Sequence, residues 1–440
     1  PPRSRDPVRR GLRWRRWLLA VVAGDVLPGA AAVVLRGFRE TADGVGAAAG
    51  GLHGVRSASV SANAVSAAGN LSATAGAAAN ISASVLAEAA ANATYAANAG
   101  AAANATGTQP RGPRVYFLFL AVDKVSNLDV WRAFFAHAPR DLYRAYVHCK
   151  LPACNQQVHG SYLEAVPTVP SWYCTDLVSP MQQLVHIALQ DQAGYPHPLD
   201  KFAFVSDSTL PAKPFAYIYG TLAARHGSDF CVFPSNEWAD VPSSGGGTEI
   251  AAKHHQWMIL ERAHAERSWQ LWSSGHFHHF MAHFRMNIHP YAWNNNSYAD
   301  NRNYGCLDEF WHMIALYGTM HAWDLVSDTS LPLASFGGGP LHISPWVGWQ
   351  GECDTFVMWA KYLHIAGNNP FNRFYSSLDQ ASIPHRGDSF RPGWWDTISS
   401  HGLRAIRQSP FLFVRKFIDK PRLHDGYDFP SAFQQIVLAY

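Results

Sequence analysis

The pattern of apolar and polar positions changes character near Arg114, and the clearest elements follow it. Val115 to Val122 (VYFLFLAV) is apolar throughout and bounded by turn residues, which predicts a strand buried on both faces. Apolar residues at helical spacing predict a helix from about Leu128 to His137, and Leu142 to His148 (LYRAYVH) reads as a second strand. Strand, helix and strand in that order form a β-α-β unit, hence a parallel sheet and an α/β domain. Another helical stretch, Met181 to Gln192, leads into a further buried strand, Lys201 to Val205, which ends in Ser206-Asp207-Ser208-Thr209-Leu210-Pro211. Ligands of open parallel sheets bind beyond the carboxyl ends of the strands, so Ser206 to Ser208 is a candidate ligand loop by position. The same three residues also read as an ordinary cap and turn.

Farther along, Asn303 to Tyr317 (NYGCLDEFWHMIALY) sets two adjacent carboxylates, Asp308 and Glu309, before an apolar stripe of Phe310, Met313, Ile314 and Tyr317. The spacing predicts a helix that starts near Cys306 with both acids in its first turn. Carboxylates there are favoured by the positive end of the helix dipole, which accounts for the pair without any chemistry. The alternative is a catalytic carboxylate.

Before Arg114 the pattern is different. Residues 1–16 carry seven arginines, and Trp17 to Leu35 is a mostly apolar run just long enough to span a bilayer, interrupted by Asp25 and Pro28. The arginine bias predicts a cytosolic tail (1–16), a signal-anchor (17–35) and a lumenal remainder; a cleaved signal peptide is the competing reading. Residues 36–112, largely Ala, Gly, Ser, Asn, Thr and Val, cannot build a core and read as a stalk. It holds N-glycosylation acceptors at Asn70, Asn80, Asn92 and Asn104, and a fifth acceptor stands at Asn295. The globular domain then occupies 113–440.

The net charge of +3 comes largely from the arginine-rich start, so a nucleic-acid partner is not expected. Six cysteines (Cys149, Cys154, Cys174, Cys231, Cys306 and Cys353) lie in the globular part without a C-x-x-C pair, which disfavours a thiolate zinc site. Their even number fits up to three disulfides in an oxidising lumen, with the connectivity open. His279 and His283 stand four apart, yet no nearby acid or cysteine completes a metal set. The runs Gly245–Gly247 and Gly337–Gly339 lack phosphate-loop spacing.

In order and spacing, RVYFLFLAVDKVSNLDVWRAFF, LYRAYVHC, KFAFVSDSTLPAKPFAYIYGTL, KHHQWMILER, CLDEFWHMIALYG and FLFVRKF resemble the core-2/I-branching β-1,6-N-acetylglucosaminyltransferase family and its plant relatives. The resemblance covers about Arg114 to Ile418. It implies a GT-A-type fold, Rossmann-like with a mixed, mainly parallel sheet flanked by helices, in a type II Golgi membrane protein. It also implies an inverting transfer from a UDP-sugar donor to a glycan or glycoprotein acceptor, with no metal cofactor. Glu309 matches the family's catalytic base. Lys416 matches its diphosphate-contacting lysine, with Arg415 beside it and Arg386 or Arg391 as a further basic contact. Ser206, Asp207 and Asp308 fall on the donor side; Glu237, Trp238 and Trp257 are acceptor-site candidates, Trp257 by stacking on a sugar ring.

The chemistry of these residue types is consistent. Inversion needs one carboxylate to take the acceptor proton, and a loop with a single acid at Asp207 leaves the UDP charge to be met by Arg and Lys. Two departures stand out. His254-His255 replaces a Gly-Ser, and the Gly-Gly-Pro segment survives only as Gly337-Gly338-Gly339-Pro340-Leu341-His342. The expected donor is UDP-N-acetylglucosamine; the alternatives are UDP-xylose, or a carbohydrate-binding protein that has lost catalysis. A hydrolase is disfavoured, because adjacent acids in one turn cannot flank a scissile bond.

Overall fold

A computed structural model describes residues 112–191, 196–233, 238–242, 247–275, 278, 282, 305–319, 342–343, 353–359, 370–387, 392–426 and 428–439. The tail, the anchor, the stalk up to residue 111, the five glycosylation acceptors, Glu237, His279, His283, Gly337–Gly339 and Arg391 lie outside the described residues. No helix among the described residues is long and apolar enough to cross a membrane.

The apolar run after Arg114 forms β1, Val115–Ala121, buried along nearly its whole length. Its side chains alternate between two cores, as a period of two requires. Val115, Phe117 and Phe119 enter one; Tyr116 and Leu118 enter the other. The first core is covered by α1, Leu128–Ala136, whose Trp131, Phe134 and Phe135 meet Phe117 edge-on at centroid distances of 6.2, 5.7 and 5.3 Å. The chain returns as β2, Tyr143–Cys149, in parallel register with β1 from Val115↔Tyr143 to Ala121↔Cys149. After α2, Pro152–Val158, a two-residue β3, Glu164–Ala165, extends the sheet in parallel beside β2.

The next helix, α3, runs Val178–Gln190, three residues earlier at its start than the apolar spacing predicts. Pro180 sits in its first turn, where no intrahelical acceptor awaits an N–H. Met181, Leu184 and Val185 cover the second core. The chain then enters β4, Lys201–Ser206, parallel to the free edge of β1. A short β5, Leu210–Pro211, and α4, Phe215–Ala224, follow.

Beyond them come β6, Asp229–Phe230; a hairpin of β7, Ala239–Pro242, and β8, Thr248–Ala251; β9, Ile259–Glu261; and α5, Arg262–Ser273. A 3₁₀ turn, Leu307–Glu309, precedes α6, Trp311–Tyr317. With β10, His342–Ile343, the large sheet has the order β10-β6-β9-β4-β1-β2-β3, and β9 runs antiparallel to both its neighbours. The α/β class and the mixed, largely parallel sheet flanked by helices are thus those expected.

The remainder packs on the first core. It contains β11, Thr355–Val357; α7, Pro370–Ser376; β12, Trp395–Ile398; α8, Ser400–Gln408; β13, Phe413–Arg415; β14, Phe417–Leu423; and α9, Phe429–Ile436. The cysteines pair as Cys149–Cys154, Cys174–Cys306 and Cys231–Cys353, so Cys149 and Cys154 close on each other. At the amino end of β4, buried Asp200 accepts from the Arg114 N–H at 2.6 Å and from Arg262 Nη2 at 2.6 Å. Charge there is neutralised in place.

Helix α8 is closed at both ends. The Ser399 hydroxyl accepts from the Gly402 N–H at 3.1 Å, and the Lys213 ammonium donates to the last carbonyls, those of Ile406, Arg407 and Ser409. Gly402 has no room for a side chain: a Cβ there would lie 2.1 Å from Ser382 Oγ. Glycine to alanine inside a helix normally stabilises by up to about 1 kcal/mol. Here the sign reverses, and Gly402→Ala is expected to destabilise by roughly 1–3 kcal/mol in urea unfolding.

Candidate functional site

Strand β1 is the point where the sheet turns: β2 lies on one side of it and β4 on the other. Loops leaving the carboxyl ends of such strands diverge and leave a crevice. Here the Asp207 N–H donates to the Leu120 carbonyl at 2.9 Å, and the Ser126 N–H donates to the Asp207 carbonyl at 2.7 Å. The Ser206–Thr209 turn is tight. The Ser206 hydroxyl bonds Thr209 Oγ1 at 2.8 Å and Ser208 Oγ at 3.2 Å, and it is buried, so Ser206 shapes the loop from within.

Two basic residues reach this turn from the far end of the chain. Strand β13 pairs antiparallel with β5 through Phe413↔Pro211 and Val414↔Leu210, and the Phe417 N–H donates to the Ser208 carbonyl at 2.9 Å. Arg415 and Lys416 are carried to the Asp207 loop by this register. Burial raises the Asp207 pKa against the opposing pull of Arg415 and Lys416. The Arg415 guanidinium lies over the Trp257 ring, 4.3 Å from its centroid. Burial lowers Arg415 to about 10, opposed by Asp207 and Tyr173. Lys416 is exposed.

The acid pair stands on a separate, disulfide-anchored turn. Cys306, bonded to Cys174, caps the 3₁₀ turn, and its N–H donates to Glu309 Oε2 at 3.0 Å. A Cβ on Gly305 would lie 2.7 Å from the Phe310 ring and 3.1 Å from Glu309 Oε2, so the close approach needs glycine. The expected single helix is a 3₁₀ turn followed by α6, and α6 is buried on every face. Trp311, His312, Ala315 and Leu316 are as enclosed as the Phe310, Met313 and Ile314 stripe.

The two acids have opposite surroundings. Asp308 is fully buried, and neither of its oxygens receives a hydrogen bond from another described residue. Burial, reinforced by the Glu309 charge, raises it to about 8. An enclosed carboxyl cannot touch a donor, so the donor-side expectation for Asp308 is corrected to an internal one. Glu309 stays within reach of solvent, its side chain 14% exposed, with Lys253 Nζ at 3.4 Å from Oε2.

The segment from Lys253 to Trp257 links both groups. The His254 N–H donates to the Glu309 carbonyl at 2.7 Å, and the His255 N–H donates to the Cys231 carbonyl at 2.7 Å. Lys253 holds Glu309 at one end of the segment, and Trp257 carries Arg415 at the other. The two histidines that replace Gly-Ser are buried, and burial lowers His254 to about 4 and His255 well below the usual imidazole range. They serve as neutral packing groups.

The aromatic acceptor candidates are less open than expected. Trp238 is buried in the second core and its indole N–H donates to the Phe233 carbonyl at 2.7 Å. Trp257 is buried with Arg415 over its ring. Both are better described as supports. Arg386 lies exposed beyond the His385↔Trp394 bridge. Lys253 as the partner of Glu309 and Tyr173 beside Arg415 were not anticipated; only Lys253, inside KHHQWMILER, carried a signal. No protein-family model matches the chain, and no curated protein matches it.

The raised Asp308 carboxyl makes folding take up a proton between its ordinary pKa near 4 and about 8. Stability is then full below the lower value and falls as pH rises through the window, at most about 1.4 kcal/mol per pH unit. Urea midpoints measured at pH 5 and pH 8 are expected to differ less in Asp308→Asn than in the unaltered protein.

Proposed function

We propose that the chain is a membrane-anchored, inverting glycosyltransferase of GT-A type, related to the core-2/I-branching family, that uses a UDP-sugar in the Golgi lumen. The observation that carries the reading is the convergence of one accessible carboxylate, Glu309, and two cations, Arg415 and Lys416, through the Lys253–Trp257 segment. Their place beyond the carboxyl ends of β1 and β4 supports it, as does the resemblance of the six motifs.

In this reading the acceptor hydroxyl oxygen attacks the anomeric carbon, its proton passes to Glu309, and the bond to the diphosphate breaks with its electron pair on oxygen. Glu309 Oε1 carries no hydrogen bond among the described residues and is the atom offered to the proton; Oε2 is held by Cys306 and Lys253. Lys416, exposed beside Asp207, and Arg415, fixed on Trp257, balance the charge that develops on UDP. That division of labour needs no metal. N-acetylglucosamine is the donor sugar favoured by the resemblance.

A second reading, a carbohydrate-binding relative without catalysis, draws on the Lys253–Glu309 ion pair, which neutralises the carboxylate in place. UDP-sugar hydrolysis by the purified full-length protein, with EDTA present, distinguishes the two. One sugar nucleotide is expected to turn over slowly, with losses of roughly 10²–10⁴-fold in Glu309→Gln and a marked loss in Lys416→Ala. UDP binding without turnover on any acceptor would support the second reading, and activity only with added manganese would overturn the metal-free assignment.

A further inference from the structure

Trp172 and Tyr173 are 57% and 60% exposed, side by side in a chain that buries most of its described aromatic rings. They lie on a narrow tongue. The Trp172 N–H donates to the Asp176 carbonyl at 3.1 Å, the Asp176 N–H donates back to Trp172 at 2.9 Å, and the Thr175 N–H reaches the Tyr173 carbonyl at 2.8 Å. At its tip Cys174 has φ 65, a left-handed conformation rare outside glycine, and is bonded to Cys306.

That bond decides where the rings stand. Cys306 is the residue whose N–H holds Glu309 Oε2, and the Leu307 N–H donates to the Cys174 carbonyl at 3.1 Å. Tongue and carboxylate are therefore fixed to one another. Tyr173 also lies within electrostatic range of Arg415. Trp172 also borders an open groove of about 410 Å³ with Lys150, Thr168 and Ser171, within the size range of small-ligand sites and lined by groups that can bond hydroxyls.

Resting on the glycosyltransferase reading, we propose that the Trp172–Tyr173 tongue is the acceptor platform, and that the acceptor is a neutral oligosaccharide whose pyranose faces stack on these two rings. The axial C–H bonds of a pyranose carry partial positive charge and meet the negative face of an aromatic ring. A ring stacked there lies beside the group that must take its proton. Rigidity favours this use, because a platform that is already ordered loses little entropy when a sugar docks.

The test measures binding and turnover separately on full-length protein. Galactose- and N-acetylglucosamine-terminated oligosaccharides are titrated calorimetrically into unaltered, Trp172→Ala, Tyr173→Ala and Trp172→Phe proteins, and UDP is titrated into each. One oligosaccharide class is expected to bind, roughly 10-fold more weakly in Trp172→Ala and nearly normally in Trp172→Phe, with UDP affinity unchanged. In transfer assays Trp172→Ala is expected to raise acceptor KM while acceptor-independent UDP-sugar hydrolysis stays constant. Loss of UDP affinity in Trp172→Ala would assign the rings to the nucleotide base and overturn the proposal. So would saccharide affinities that no variant alters, or no saccharide binding at all. If the unaltered protein binds a saccharide through these rings but neither binds UDP nor hydrolyses a UDP-sugar, the platform stands and the transferase reading fails.

Discussion

Strand β1 is hydrogen-bonded in parallel along both edges, to β2 on one side and β4 on the other. Parallel neighbours cannot be joined by a tight turn, so the crossovers must travel over the faces of the sheet and leave the carboxyl ends uncovered. Because the neighbours lie on opposite sides, the loops that follow β1 and β4 separate at the strand ends, and only a few backbone bonds tie them together. The Asp207 turn, the returning β13 and the cations it carries all depend on that opening. At the other end of β4, Asp200 and Arg262 close the sheet with paired charge, and the Arg114 backbone N–H bonds the same carboxylate.

Around the opening, several titratable groups are held neutral. His254, His255 and His312 are uncharged through burial, and the raised Asp308 titrates near 8. In such surroundings the few groups that keep a charge, Glu309 with Lys253 and Arg415 with Asp207, act on one another and on a ligand with little competition from water. The Arg415 guanidinium additionally lies over the Trp257 ring, so the fork is held in place before anything arrives.

The long elements were legible because their signals are local. A continuous apolar run such as Val115 to Val122 has few alternatives, and β1, α1, β2, α3 and β4 fall within a few residues of where the pattern puts them. Strands of two or three residues were not legible. Leu210–Pro211 becomes a strand only through pairing with Phe413–Arg415, which itself pairs with Thr355–Val357, and nothing periodic announces those partnerships. The Ser206–Ser208 loop could be placed by the rule for parallel sheets, whereas Arg415 and Lys416 were reached only through a resemblance. Asp308 and Glu309 are adjacent letters with opposite fates, one sealed and one open, decided by a 3₁₀ turn where spacing suggested a helix. Trp238 and Trp257 fit an acceptor surface or a core equally well in the sequence, and both lie buried, since an aromatic residue does not declare which side of its ring is covered.

The disulfides Cys174–Cys306 and Cys231–Cys353 overlap along the chain, one opening before the other has closed. Every peptide bond from Cys174 to Cys353 is therefore enclosed by at least one covalent ring. A single hydrolytic nick in that span severs the backbone without releasing a fragment, and the two pieces stay joined through sulfur until a reductant reaches them. Clipped and intact molecules would share one mass within the weight of a water, and would part company only on a reducing gel.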